Sequence, residues 1–346
     1  MDKLIKKLSC GEILTKSQFK DLIDAYTPEN AEKLAFLANE KRQQIFSNNI
    51  YVRGLIEFTN NCKNNCYYCG IRRDNKNVIR YRLSKEDILL CCDRGYKLGF
   101  RTFVLQGGED NFFTDDKLCE IISEIKNLYP DCAVTLSIGE RTLESYQKLF
   151  NAGADRYLLR HETANCEHYS SLHPKELTLS NRMECLENLK NIGYQVGCGF
   201  MVGSPNQTND FLAEDLYFLQ NFKPHMVGIG PFIPQKDTPF ANKTAGTLEK
   251  TLYLLSIIRL MLPDVLLPAT TALGTIHPKG RELGILSGAN VIMPNLSPEI
   301  VRGKYTLYDN KLYTGDEAAE NLKLLREKLQ TIDCKVYIGR GDSPKI

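Results

Sequence analysis

Three cysteines in one short loop have the spacing of a metal-binding motif. Cys62, Cys66 and Cys69 are separated by three and then two residues, and no fourth cysteine follows nearby. Thiolates are soft ligands that suit iron–sulfur clusters and zinc. A closed zinc site needs four ligands, commonly as two separated pairs. A 4Fe-4S cluster on three thiolates leaves one iron open to a substrate or cofactor, so the spacing predicts a cluster that does chemistry. A structural zinc knuckle is the alternative.

The residue before the last cysteine narrows this interpretation. With Tyr68 in that place, the loop resembles the signature of the radical S-adenosylmethionine (SAM) superfamily. The resemblance implies that the open iron binds the amino and carboxylate groups of SAM. An electron from the cluster then cleaves SAM to methionine and a 5′-deoxyadenosyl radical. Because a short motif can arise by chance, its meaning depends on the elements around it.

Composition bounds the class of protein. The chain has 346 residues, 42% hydrophobic and 25% charged, which suits one large barrel or two modest domains. A net charge of +2 predicts neither a nucleic-acid partner nor a membrane surface. Arg259 interrupts the most apolar stretch, residues 251–268, which therefore predicts a buried helix and strand. Twelve cysteines without a visible secretory signal predict a reducing cytoplasm, and a cluster of this kind predicts an anaerobic setting.

The elements that position the loop alternate between strand and helix. Amphipathic helical stretches separate eight apolar, β-rich runs, at residues 51–58, 102–106, 133–138, 155–160, 195–202, 226–230, 265–269 and 290–293. This alternation predicts an α/β fold, a complete (β/α)8 TIM-type barrel with an N-terminal helical extension. We expect residues 1–50 to form that extension, residues 51–310 the barrel, and residues 311–346 a C-terminal helix and tail covering it. An open, doubly wound sheet is the alternative.

A barrel places chemistry at the carboxyl ends of its strands. Polar residues collect there in the predicted strands, as in Gly108-Glu109, Arg160-His161-Glu162 and Thr270-Thr271. Each group also has a plain structural explanation: a tight turn, a solvated charge cluster and β-branched strand residues.

When these segments are considered together, the chain resembles one family within the radical SAM superfamily. The chain resembles the HydE family, the radical SAM maturases of FeFe-hydrogenase, over nearly its whole length. The matching stretches are residues 56–60, 68–77, 106–110, 155–165, 201–203, 227–234, 268–272 and 289–295, of which 70–77 and 155–165 are the most specific. The resemblance implies a complete barrel with the cluster at its top above a long internal cavity.

The resemblance also implies roles for individual residues. One 4Fe-4S cluster would be held by Cys62, Cys66 and Cys69, and no second cluster is expected because residues 310–325 contain no cysteine. The residues implied to bind SAM are Tyr68, Gly108, Glu109, Ser137, Glu162, Arg182 and Met201. Those implied to line the substrate cavity are Thr135, Arg160, Thr270, Thr271, Tyr305 and Tyr308.

By the same resemblance, the substrate is a small organometallic iron–cysteine complex bearing carbon monoxide and cyanide, used to assemble the H-cluster. The implied partners are a low-potential electron donor such as ferredoxin and other hydrogenase maturases. Four alternatives stay open: a methylornithine synthase-like mutase acting on lysine, a biotin synthase, a tRNA- or protein-modifying radical enzyme, and a non-catalytic iron–sulfur scaffold. The biotin synthase alternative is weakened by Arg160-His161-Glu162, where that enzyme would want amide residues, and the near-neutral charge counts against a tRNA substrate.

Overall fold

The computed structural model describes residues 1–345, and it begins with three helices. These are α1 (Asp2–Ser9), α2 (Lys16–Asp24) and α3 (Pro28–Phe46). The side chains of Thr15 and Thr27 cap α2 and α3 by accepting hydrogen bonds from backbone amides three residues on. Helices α2 and α3 pack on the outer helices of the main fold, so the opening segment is part of its shell.

The rest of the chain alternates strands with helices, as predicted. The strands are β1 (Asn49–Val52), β2 (Gly54–Thr59), β3 (Thr102–Gly107), β4 (Ala133–Ser137), β5 (Arg156–Leu158), β6 (Gln195–Cys198), β7 (Met201–Val202), β8 (Met226–Val227), β9 (Gly230–Pro231), β10 (Val291–Ile292) and β11 (Lys335–Tyr337). The helices are α4 (Lys85–Lys97), α5 (Asp115–Leu128), α6 (Leu143–Asn151), α7 (Cys166–Leu172), α8 (Leu179–Ile192), α9 (Asn209–Phe222), α10 (Leu248–Met261), α11 (Thr271–Ile276), α12 (Gly280–Leu286), α13 (Glu299–Arg302) and α14 (Leu322–Gln330). Two short 3₁₀ helices, Gly315–Glu317 and Ala319–Asn321, precede α14.

Parallel pairing joins six strands in the order β2-β3-β4-β5-β6-β8. A separate sheet has the order β10-β1-β11, and β7 pairs with β9. The α/β class with parallel strands is therefore confirmed, but the regular ladders do not run around a closed ring. Isolated parallel bridges link the remaining segments: Met226 with Leu266, Pro268 with Val291, and Leu55 with Asn295.

The prediction of a regular strand at residues 265–269 is wrong. It makes bridges only, because Pro268 has no amide hydrogen to donate and the side chain of Asn290 accepts the hydrogen bond of the Leu267 amide at 2.8 Å. The predicted strand at residues 51–58 is likewise divided at Arg53 into β1 and β2.

The C-terminal tail lies at the amino ends of the strands, away from the cysteine loop. Arg156, the first residue of β5, pairs with Asp342 at 2.6 Å and donates to the carbonyl of Arg340 at 2.8 Å. Thr102, the first residue of β3, donates to the same carbonyl at 2.7 Å. Strand β11 adds to the edge of β1. The tail therefore covers the amino end of the strands.

The helices of the described chain differ in length or hydropathy from membrane-spanning helices. Across residues 1–345, every helix is too short or too polar to cross a bilayer.

Candidate active site

The cysteine loop follows β2 and is held by its backbone at several points. The amide of Lys63 donates to the carbonyl of Glu109 at 2.8 Å, and the amide of Gly70 donates to the carbonyl of Leu307 at 2.8 Å. Arg80 closes the loop by donating to the carbonyls of Asn60, Ile71, Arg72 and Asn75. Arg80 is a supporting residue that sequence reasoning missed, since nothing in its spacing marks it.

The three predicted cluster ligands are brought together in this loop. All three thiols are free and partly exposed. Burial first and then the neighbouring thiols raise the pKa of Cys66, and the same causes raise the pKa of Cys69 to about 12. Residues 1–345 contain no group of side chains tight enough for a single metal ion.

Glu109 faces this loop from the end of β3. One of its oxygens accepts a hydrogen bond from the amide of Glu140 at 2.9 Å, and Lys63 lies 3.3 Å from the other, which has no hydrogen-bond partner in the described chain. Two glycines leave room for this arrangement. A Cβ at Gly108 would lie 2.3 Å from the carbonyl oxygen of Asn61, and a Cβ at Gly139 would lie 2.1 Å from Glu109. The site therefore presents a buried carboxylate oxygen that lies near Lys63 but makes no hydrogen bond within residues 1–345, which suits a ligand ammonium group.

Glu162 follows β5, and Arg182 reaches the same end of the sheet from the first turn of α8. Arg182 donates to the carboxylate of Glu140 at 2.5 Å and to the carbonyl of Arg160 at 2.6 Å. Glu162 has a φ of 64°, a left-handed conformation that is strained for a glutamate. One Glu162 oxygen lies 3.0 Å from Arg160, without the alignment of a hydrogen bond. Glu140 thus joins the predicted residues Glu109 and Arg182, a link that sequence reasoning missed.

The remaining predicted SAM residues occupy the same end of the fold. Ser137 is the last residue of β4 and half-buried. Met201 starts β7 and packs with Leu172 and Phe232, and Tyr68 packs against that apolar cluster. An apolar surface of this kind suits the flat face of an adenine.

The predicted cavity residues differ in whether their polar atoms already have a hydrogen-bond partner in the protein. The hydroxyls of Thr135 and Thr270 are buried and make no hydrogen bond within the described residues, and the same is true of Nε of Arg160, whereas Nη2 of Arg160 lies 3.0 Å from Glu162. The hydroxyl of Thr271, in contrast, donates to Glu317 at 3.0 Å. The hydroxyl of Tyr305 accepts from Gln106 at 3.5 Å. Burial raises the pKa of Tyr305, and likewise that of Tyr308, so both phenols stay neutral donors.

A buried ion pair beside these residues was also missed. Glu57 is fully buried in β2 and lies 2.8 Å from the amine of Lys311. The amide group of Asn295 donates to its other oxygen at 2.8 Å. The pair fixes the segment at residues 304–311 across the strand ends.

The chain is similar to known proteins along most of its length. The family model described as the Radical SAM superfamily matches residues 56–219. The fold, the three-cysteine loop and the unpaired polar groups together define a radical SAM enzyme, which uses a 4Fe-4S cluster and SAM. The "[FeFe] hydrogenase maturase subunit HydE" of Thermotoga maritima is 46% identical over 310 residues, 90% of this chain and 88% of that protein. The chain belongs to the HydE family.

Two further relatives are more distant. The "3-methylornithine synthase" of Methanosarcina acetivorans is 26% identical over 95% of this chain and 92% of that protein. The crystal structure of methylornithine synthase (PylB) matches with a TM-score of 0.84 and 26% identity, covering 96% of this chain and 97% of that chain.

Proposed function

We propose that this chain is a radical SAM hydrogenase maturase that acts on an organometallic iron–cysteine complex bearing carbon monoxide and cyanide, in assembly of the H-cluster. The observation that carries the proposal is a set of buried donors without a hydrogen-bond partner in the described chain: Nε of Arg160 and the hydroxyls of Thr135 and Thr270. Such donors suit anionic, cyanide-like ligands. The chain is 46% identical to the HydE of Thermotoga maritima and 26% identical to methylornithine synthase, which supports a maturase over a mutase.

The residues divide into three roles in this proposal. Cys62, Cys66 and Cys69 hold the cluster, which with SAM supplies one-electron reduction and radical chemistry when bound. The SAM residues at the strand ends orient the cofactor: Tyr68, Gly108, Glu109, Ser137, Glu162, Arg182 and Met201. Substrate is held by Thr135, Arg160, Thr270, Thr271, Tyr305 and Tyr308. The chain thus provides orientation and a site that excludes water.

Substrate identity is tested with the anaerobic, cluster-loaded enzyme. With dithionite and SAM, the synthetic iron–cysteine carbonyl cyanide complex is expected to give new paramagnetic iron species by electron paramagnetic resonance. Lysine is expected to give no methylornithine by mass spectrometry. Thr270→Val is expected to keep SAM binding and change the iron signals, since it removes a hydroxyl that faces the substrate only.

Methylornithine synthase is the second candidate, because the PylB structure superposes with a TM-score of 0.84. If the enzyme converts lysine to methylornithine, the mutase assignment replaces the maturase assignment. The same holds if the spectrum of the iron complex stays unchanged in the presence of SAM.

We further propose that the eight strand segments complete a barrel. The isolated bridges at Leu266, Pro268 and Leu55 support it, since they connect β8 through residues 265–268 and β10 back to β2. Residues 1–50 would then form a helical extension and residues 311–346 a cover. Twelve free cysteines support a reducing, low-oxygen cytoplasm as the compartment.

For the electron donor we propose an acidic, low-potential iron–sulfur protein that docks beside the cysteine loop. Residues 63–82 contain six lysines and arginines and one acid, a net charge of +5, whereas the whole chain has +2. Arg73 and Lys76 are exposed, and the Asn77–Asp237 hydrogen bond of 2.6 Å brings the exposed Lys236 beside them. Ile79, 68% exposed, adds an apolar contact to this basic surface. Opposite charges speed the encounter of two proteins.

Charge reversal separates docking from catalysis. The triple variant Arg73→Glu, Lys76→Glu, Lys236→Glu is expected to slow ferredoxin-driven SAM cleavage at low salt by about tenfold or more, while the rate with saturating dithionite stays unchanged. Reversal of three exposed lysines on the outer helices, Lys3, Lys6 and Lys323, alters net charge equally and is the control. Equal ferredoxin-driven rates in both triple variants would refute this docking surface.

A further inference from the structure

Tyr169, in the short helix α7, carries a hydroxyl that the fold leaves unpaired. The residue is fully buried, and its ring stacks on His173 with centroids 4.0 Å apart and planes 20° apart. Among residues 1–345 its hydroxyl oxygen has no hydrogen-bond partner. Buried hydroxyls are almost always paired, so a ligand is the natural partner for this one.

His173 fixes this tyrosine relative to the cysteine loop. Its Nδ1 lies 2.9 Å from the carbonyl oxygen of Tyr169, which can only accept, so Nδ1 carries the proton. Its Nε2 must then accept the hydrogen bond from the hydroxyl of Tyr68 at 3.3 Å. Burial, and secondarily the charge of Arg182, lower the pKa of His173 to about 3, which preserves this neutral tautomer. The amide of Tyr67 also donates to the carbonyl of Leu172 at 3.0 Å.

The ring of Tyr169 lies near charged side chains of the site. Arg182 is the charge that acts on it most strongly, ahead of Glu140, Cys66 and Glu162. Burial raises the pKa of Tyr169, so the phenol is a neutral O–H donor. Arg182 uses Nε and Nη1 for protein acceptors, and Nη2 makes no hydrogen bond within the described chain. A phenol O–H and a guanidinium N–H that reach the same ligand would form a two-donor site for a carboxylate.

We propose that Tyr169 is a further cofactor-binding residue, whose hydroxyl binds the carboxylate of SAM together with Nη2 of Arg182. His173 is a positioning residue that holds both Tyr169 and Tyr68. The inference rests on the placement of Arg182 in the SAM pocket under the proposed function, and it adds the group of SAM that this part of the pocket recognises.

The test removes one oxygen atom. In the cluster-loaded enzyme, Tyr169→Phe keeps the ring stack and is expected to raise the Kd of SAM about tenfold, measured by anaerobic calorimetry. Decarboxylated SAM, which lacks the carboxylate, is expected to bind the variant and the wild type equally. Tyr194→Phe is the matched control, since that buried hydroxyl donates to the carbonyl of Tyr146 at 2.8 Å, away from the site. It should leave both Kd values unchanged.

Each other outcome overturns the proposal. An unchanged Kd for SAM shows that the hydroxyl contacts no cofactor, and an equal loss for both ligands shows that it binds a different group. Should Tyr169→Phe lose its cluster, Arg182→Lys provides the second variant: it must weaken SAM binding more than binding of decarboxylated SAM. Because these are binding measurements without substrate, their failure is distinct from failure of the maturase assignment.

Discussion

Cys66→Ala is expected to abolish both the iron–sulfur cluster and reductive SAM cleavage while leaving the fold intact. The wild-type chain should bind about four irons when reconstituted anaerobically. Cys66 is flanked by the other two predicted ligands in a loop whose backbone is held independently by Arg80. Loss of the thiol therefore removes a ligand without removing the loop's support. Iron analysis, the visible absorption of the cluster and 5′-deoxyadenosine production measure the effect.

Cys119→Ala is the matched control, because Cys119 is also a free, partly exposed cysteine but lies in α5 on the outside of the sheet. It should retain about four irons and full activity. Eight irons in the wild type, or activity in Cys66→Ala, would contradict a single three-cysteine cluster.

Gly139→Ala is expected to weaken SAM binding by about a hundredfold, as loss of a buried charge-assisted hydrogen bond would. Gly139 has a φ of 79°, and a Cβ there would lie 2.1 Å from Glu109. The carboxylate of Glu109 must therefore move out of the position in which its second oxygen faces the cysteine loop. Equilibrium dialysis with labelled SAM measures the change.

Gly153→Ala separates this effect from backbone strain. Gly153 also has a positive φ, 111°, but its Cβ would meet only the flexible side chain of Lys126, at 2.7 Å. Both variants should lose about 1 kcal/mol of stability from the left-handed conformation, measured by denaturant unfolding. Only Gly139→Ala should lose SAM affinity, and equal affinities would mean that Glu109 does not bind the cofactor.

Local patterns predicted the parts of this molecule that depend on nearby residues. The cysteine spacing lies within eight residues, and the alternation of apolar runs with amphipathic stretches predicted the parallel α/β class. The positions of Glu109 and Glu162 followed from a general property of parallel strands, that their carboxyl ends meet at one edge.

Local sequence patterns could not predict contacts between residues that are far apart in the chain. Tyr68 and His173 are 105 positions apart, and Glu57 and Asn295 are 238 apart. No periodicity marks either pair, because each depends on how loops fold over the strand ends. The irregular segment at residues 265–269 escaped prediction for a similar reason, since a side chain, Asn290, replaces part of the expected backbone pairing.

The C-terminal cover has a consequence for the order of events in catalysis. Because the tail at Arg340 and Asp342 contacts the amino ends of β3 and β5, we expect under the proposed function that ligands enter beside the cysteine loop. Thr135 lies two residues before Ser137 in β4, about 7 Å further from that entrance. If Thr135 holds the substrate and Ser137 contacts SAM, as proposed, the substrate lies deeper than SAM, and we expect it to bind before SAM and its product to leave after the fragments of SAM. The expected result is an ordered kinetic mechanism in which bound SAM closes the entrance to the substrate site.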